Sequence, residues 1–95
     1  MELEFIKKAL KVDFDDDDDY IALLLEAAAE YIREATGKCD YTSARVRLLA
    51  LVIITELYEK RALTVEKAGE KAQYAIRSII TQLQMEEYLD DETGN

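Results

Sequence analysis

The sequence predicts an all-α protein, a small bundle of about four helices with one long loop before the last helix. Proline is absent and glycine occurs only three times in 95 residues, too few for the tight turns of an all-β protein. Apolar residues make up 49% of the chain and recur at helical spacing. These stripes place helices near residues 3–11, 17–36, 43–61 and 74–87, within a single domain that spans 1–95.

The first helix is short and precedes an acidic run. Its apolar stripe comprises Phe5, Ile6, Ala9 and Leu10, and its lysines are expected on the opposite, solvent side: Lys7, Lys8 and Lys11. Residues 15–19 are five consecutive aspartates, which suit a helix N-cap and first turn because a carboxylate faces the positive end of the helix dipole. A cation site is the alternative, but calcium loops alternate ligands with spacers and turn at a glycine, and this run does neither.

The second helix has the clearest amphipathic pattern. Its core-facing stripe comprises Ile21, Leu24, Leu25, Ala28, Ile32 and Ala35. Gly37 is expected to end the helix, since glycine adopts the left-handed conformation without a steric penalty. A short connection follows, in which Asp40, Thr42 or Ser43 can cap the third helix.

The third helix is centred on seven consecutive apolar residues, Leu48–Ile54. Such a run also suits a buried strand, but the charged residues on both sides extend the pattern to about 18 residues and favour a helix. A helix that is apolar on every side is buried on every side. Because a 95-residue domain has few helices to surround it, we expect a neighbouring subunit to cover part of this surface.

The segment before the last helix is locally basic. Residues 60–77 contain five basic and two acidic residues, whereas the whole chain carries a net charge of −9. Its irregular pattern over 63–73 is typical of a solvated loop, and a contact surface is the alternative. The last helix carries Ile76, Ile79, Ile80 and Leu83, and the acidic tail at about 86–95 is expected to fray.

The composition excludes most chemistry. Histidine is absent and Cys39 is the only cysteine, so the chain lacks the commonest general base, a thiolate metal cage and a disulfide. No glycine-rich phosphate loop occurs, and the six tyrosines at helical positions are expected to pack. We therefore expect no enzyme activity, no cofactor and no metal.

The charge and hydropathy also restrict location and partners. Twelve basic residues against 21 acidic ones argue against ordinary nucleic-acid binding, which needs a basic surface. The seven-residue apolar run is far shorter than the about 20 residues of a membrane span. The acidic start, Met1–Glu4, lacks the basic region of a signal peptide. A soluble intracellular protein without a membrane partner is expected.

Several segments together carry a resemblance to a known family. They are Phe5–Asp13, Asp18–Ile32, Thr36–Gly37, Leu57–Ala62 and Ile76–Gln84. In order and spacing they resemble the small head–tail connector, or adaptor, proteins of long-tailed bacteriophages and prophages, the "QLRG" type of DNA-packaging protein. The resemblance covers about residues 3–85. The chain departs from the family in having no proline between its helices, and in having Gln84 where an arginine is usual.

The resemblance implies a structural role without catalysis. Such proteins form a ring, of about twelve subunits by family analogy, beneath the portal at the virion neck, after assembly in the host bacterial cytoplasm. The ring joins the portal to a stopper or tail-completion protein, and DNA passes through it without tight binding. We take as candidate oligomer or portal contacts Lys60, Arg61, Lys67, Lys71, Arg77 and Gln82, and as a candidate acidic contact loop Asp15, Asp16 and Asp17.

Two other classes of function fit parts of the sequence. An inhibitory protein that mimics DNA with its carboxylates fits the net charge of −9, although a mimic spaces its acids across one face. A helical dimerisation or protein-interaction module fits the apolar third helix. The shape of the particle separates the three: a ring, a monomer or dimer bound to an enzyme, or a plain dimer.

Overall fold

The computed structural model describes residues 1–61 and 64–94, with side chains up to residue 87. It contains the helices α1 (Leu3–Leu10), α2 (Asp18–Thr36), α3 (Ala44–Lys60) and α4 (Glu70–Gly94), together with a 3-10 turn at Val65–Lys67. No strand occurs in the residues so described. The predicted all-α fold class, with four helices, is therefore confirmed.

Helix α3 lies at the centre of the bundle. It packs against α2 on one side and α4 on the other, and the short α1 lies across α2 and α3. The largest fully buried side chains come from all four helices: Ile6, Ile21, Ile32, Leu49, Ile53, Ile54 and Ile76. The backbone measures 47 × 27 × 18 Å along its principal axes.

The last helix is longer than the sequence predicts. It begins at Glu70, four residues before the expected start at 74, and continues to Gly94, past the expected end near 87. The connection before it is correspondingly shorter, and it is tethered to the bundle: Ala68 is buried, and the Gly69 N–H donates to the Glu56 carboxylate at 3.2 Å. Residues 62–63 of the predicted loop lie outside the described residues.

The helix ends follow from the residues found there. Ser43 caps α3, as one of three expected candidates, because its hydroxyl accepts a hydrogen bond from the Val46 N–H at 3.4 Å. Gly37 ends α2 in the left-handed conformation, with φ at 91°. Helices α1 and α3 end in the same conformation on residues with side chains, Lys11 and Arg61.

Gly37→Ala is expected to destabilise the protein by about 1 kcal/mol, because an L side chain disfavours positive φ. A β-carbon at this position would meet no atom within 4 Å, so the cost comes from the backbone alone. Gly37→Asn is the matched control and should lose clearly less, since asparagine tolerates the left-handed region. Urea denaturation of the three proteins measures the difference, and equal stability of the alanine and asparagine variants would contradict this reason.

Candidate assembly surfaces

The acidic run is divided between paired and free carboxylates. Lys7 reaches it from α1, with its Nζ 2.8 Å from Asp15 Oδ1 and 2.8 Å from Asp18 Oδ1. Lys7 is only 5% exposed, so the expectation that it faces solvent is wrong. The hydrogen bond between Lys7 and Asp15 raises the pKa of the lysine and lowers the pKa of the carboxyl. The pair fixes α1 and the acidic loop to each other.

This pair predicts a specific dependence of stability on pH. Because folding lowers the pKa of Asp15, its contribution is present above its ordinary value of 3.8 and is lost as the pH falls through the lowered pKa. The raised pKa of Lys7 keeps that side of the pair charged at every pH below about 10. Asp15→Asn should therefore be slightly less stable than the wild type at neutral pH, and the difference should vanish in acid.

The neighbouring residue supplies the control for this prediction. Asp16 is exposed and has no cation partner among the described side chains. Asp16→Asn should therefore follow the wild-type profile from neutral pH into acid. Thermal melts at a series of pH values test both variants, and a gap between wild type and Asp15→Asn that stays constant with pH would contradict the pairing.

A second cluster joins the acidic run to the end of α3. The Tyr58 hydroxyl donates to Asp17 Oδ2 at 2.6 Å, which raises the pKa of the tyrosine. The Arg61 guanidinium lies 3.5 Å from the same carboxylate oxygen and stacks over the rings of Tyr20 and Tyr58, at 4.8 and 5.1 Å from their centroids. Two predicted contact residues, Asp17 and Arg61, thus meet within one chain.

The other basic candidates lie apart from this cluster. Lys60 pairs with Glu56 one turn away on α3, at 3.2 Å. Lys67 lies in the 3-10 turn, while Lys71 and Arg77 are on α4; all three are exposed, and none has an ion pair with a described side chain. Gln82 is also exposed on α4, where it lines the same shallow surface as Arg77. Of the predicted basic residues, Lys60 and Lys71 both adjoin Glu56, the first through its ion pair and the second across the same groove.

Helix α3 leaves part of its apolar surface uncovered. Leu49 is fully buried, whereas the adjacent Leu48 is 52% exposed, so the run is not buried on every side within one chain. Leu51 and Val52, three and four residues further along the same face, are half-buried. They line a groove of about 460 Å³ between α1, α3 and α4, together with Ala9, Thr55, Glu56, Lys71 and Ala72.

At the end of the bundle opposite the acidic loop, exposed polar contacts join α4 to the α2–α3 connection and to the helix ends that flank it. Lys38 lies 3.2 Å from Glu87, and Arg45 pairs with Glu86. The Gln84 amide donates to the Ala35 carbonyl at the end of α2, at 2.9 Å. Gln84 therefore joins α4 to α2.

The described residues meet the requirements of neither a metal site nor a membrane span. Among the side chains that the structure describes, no three histidine, cysteine or carboxylate groups converge in a way that could hold a metal ion. Within the described part of the chain, no helix is both long and apolar enough to cross a membrane. What the molecule presents is a helical bundle with an uncovered apolar face, an acidic loop and scattered cations.

This fold, with its uncovered apolar face, is typical of a small helical protein that is one component of a larger assembly. Residues 1–88 match the family of phage gp6-like head-tail connector proteins. The chain belongs to this family, whose members are structural, non-enzymatic proteins that assemble with other phage head and tail proteins. No curated protein and no solved structure matches the chain significantly.

Proposed function

We propose that the protein forms a ring of about twelve subunits beneath the portal, at the virion neck. The ring joins the capsid vertex to a stopper or tail-completion protein and lets DNA pass. The observation that carries this proposal is the uncovered apolar face of α3, where Leu48 is 52% exposed beside the half-buried Leu51 and Val52. An exposed apolar patch marks a site of association, and a head-to-tail contact between subunits generates a ring when its rotation closes.

The charge of the chain suits a passive conduit for DNA. With 21 acidic and 12 basic residues, a channel wall made of this protein repels phosphates at short range. Salt screens that repulsion over about 8 Å under physiological conditions, so it acts on DNA near the wall. The exposed cations Lys67, Lys71 and Arg77 are few beside the acids of the chain, so they offer only isolated phosphate contacts.

The internal pairing of the acidic run disfavours the role of a DNA mimic. Asp15, Asp17 and Asp18 are held by cations or a tyrosine of their own chain, so they are less available to imitate a row of phosphates. A mimic remains a distinct outcome of the experiments below.

Negative-stain electron microscopy of the purified protein, alone and with the portal protein of the same phage, tests the proposal. Rings that stack coaxially on the portal are expected. Particles that remain monomers or plain dimers under both conditions would overturn it. Competition with DNA for a nuclease or polymerase would instead assign the protein to the mimics.

The assembled protein is expected to give no detectable complex with linear duplex DNA in a gel shift at about 0.15 M salt, and little change at lower salt, because few phosphates are neutralised. The probe is a duplex of one defined, arbitrarily chosen sequence. A basic DNA-binding protein serves as the positive control. Tight or sequence-selective binding that weakens steeply with salt would rule out the passive conduit.

A further inference from the structure

An aromatic side chain projects from the acidic loop. Phe14 is 47% exposed and lies outside the buried core cluster. Its neighbours Asp13 and Asp16 are exposed and have no cation partner among the described side chains. The loop is nevertheless held before Phe14 by the buried Val12, and after it by the bonds of Asp15 to Lys7 and of Asp17 to Tyr58. It therefore presents a preorganised aromatic anchor with an acidic surround.

The groove between α1, α3 and α4 has the complementary chemistry. Its floor is apolar, formed by Ala9, Leu51 and Val52, and Phe14 of the same chain does not line it. Lys71 stands on its rim with no ion pair to a described side chain. The acid on the rim, Glu56, is already occupied by Lys60 and by the Gly69 N–H. The groove therefore suits an apolar side chain that is flanked by carboxylates.

Both features lie at the same end of the bundle. The acidic loop is bonded to Tyr58 and Arg61, and the groove is lined by Thr55 and Glu56, so each adjoins the C-terminal half of α3. Because these two surfaces differ, repeated contacts between them link copies head to tail, which generates a ring when the rotation closes and a filament when it does not. Their position at the same end of the bundle suits a ring, since the contact then adds little translation along the bundle axis.

We propose that Phe14 of one copy inserts into the α1–α3–α4 groove of the next copy, with Asp13 and Asp16 facing Lys71. This inference rests on the ring proposed above and assigns its subunit contact. Aromatic anchors in desolvated pockets dominate the energetics of interfaces, and opposite charges at the rim set orientation.

A substitution at the anchor tests the apolar part of the contact. Phe14→Ala is expected to abolish rings in negative-stain images while the circular dichroism spectrum stays helical, because the side chain is not part of the core. Leu23→Ala is the matched control: Leu23 is 59% exposed on α2, and its removal should leave the rings intact. Wild-type ring yield from Phe14→Ala would overturn the proposal.

Cross-linking tests which surfaces meet. In a Cys39→Ser background, Asp16→Cys and Lys71→Cys are introduced singly and together, and the assembled proteins are treated with a short bis-maleimide. The double variant should give a ladder of covalent oligomers on a denaturing gel, and each single variant should stay monomeric. A dimer from either single variant would show a symmetric contact, and rings that yield no ladder would exclude this pair of surfaces.

The two proposals fail in different ways. If the wild-type chain forms no ring with or without the portal, the proposed function is wrong. If rings form but Phe14→Ala still assembles, or the double-cysteine ring gives no ladder, only the assigned contact is wrong and the ring stands.

Discussion

Leu49→Asp is expected to unfold the protein, whereas Leu48→Asp should leave it folded. Leu49 is fully buried in the middle of α3, which contacts every other helix. The substitution removes a buried side chain, at a cost of about 2–5 kcal/mol, and places a carboxylate among apolar neighbours, at a further cost of several kcal/mol. Together these approach the whole stability of a small domain, about 5–15 kcal/mol.

Leu48 is the matched control because it directly precedes Leu49 and the same leucine-to-aspartate substitution is made there. Its side chain is 52% exposed, so an aspartate there stays solvated in the monomer. Circular dichroism melts should show no cooperative transition for Leu49→Asp and a near-normal one for Leu48→Asp. We also expect Leu48→Asp to remain monomeric, since the charge lies on the uncovered face of α3. A Leu49→Asp protein that melts within a few degrees of the wild type would show that the segment is not core.

Lys7→Glu is expected to have the second-largest effect, by detaching α1 from the bundle. The substitution replaces a buried ammonium with a third acid beside Asp15 and Asp18, so two attractive contacts of 2.8 Å become repulsive ones. Helix α1 has eight residues, too few to persist without its tertiary contacts. Ile6 is fully buried next to Lys7, so the loss of α1 also exposes part of the core.

The exposed Lys8 provides the control for this effect, because Lys8→Glu makes the same change of charge on the solvent side of the same helix. Thermal melts should show a large loss of stability for Lys7→Glu and a small one for Lys8→Glu. Amide hydrogen exchange should show loss of protection across residues 6–10, the hydrogen-bonded amides of α1, in Lys7→Glu alone. Equal melting temperatures for the two variants would mean that the buried lysine contributes nothing specific.

Local sequence signals account well for the helices and for the ends marked by Gly37 and Ser43, but not for the start of α4. The stripes of α2 and α3, the glycine at the end of α2 and the serine cap of α3 are local features, and each is found in the structure. The start of α4 at Glu70 is not marked by an apolar stripe. Just before this start, the Gly69 N–H donates to Glu56, a residue of another helix that local sequence signals do not identify.

The polar contacts of the surface depend on residues distant in the chain. Tyr58 and Arg61 contact Asp17 at sequence separations of 41 and 44 residues, and no sequence pattern predicts these contacts. The burial of Lys7 does not follow from the sequence, because a lysine in a short helix is expected to be solvated and only the folded acidic loop supplies its two carboxylates. The unbroken run Leu48–Ile54, in contrast, predicts the apolar excess of α3 directly.

The elongated shape of the subunit limits the bore of the proposed ring. If the 47 Å axis stands along the channel, the spacing between copies is one of the two shorter dimensions, 18 or 27 Å. Twelve copies at these spacings make a ring with a centre-line diameter of about 70 to 100 Å. In the narrower ring the copies are spaced by 18 Å, so the 27 Å dimension is the thickness of the wall. The opening is then about 40 Å, which is wider than a DNA duplex. DNA would then pass through the channel without filling it, and repulsion from the acidic wall would keep the duplex near the channel axis.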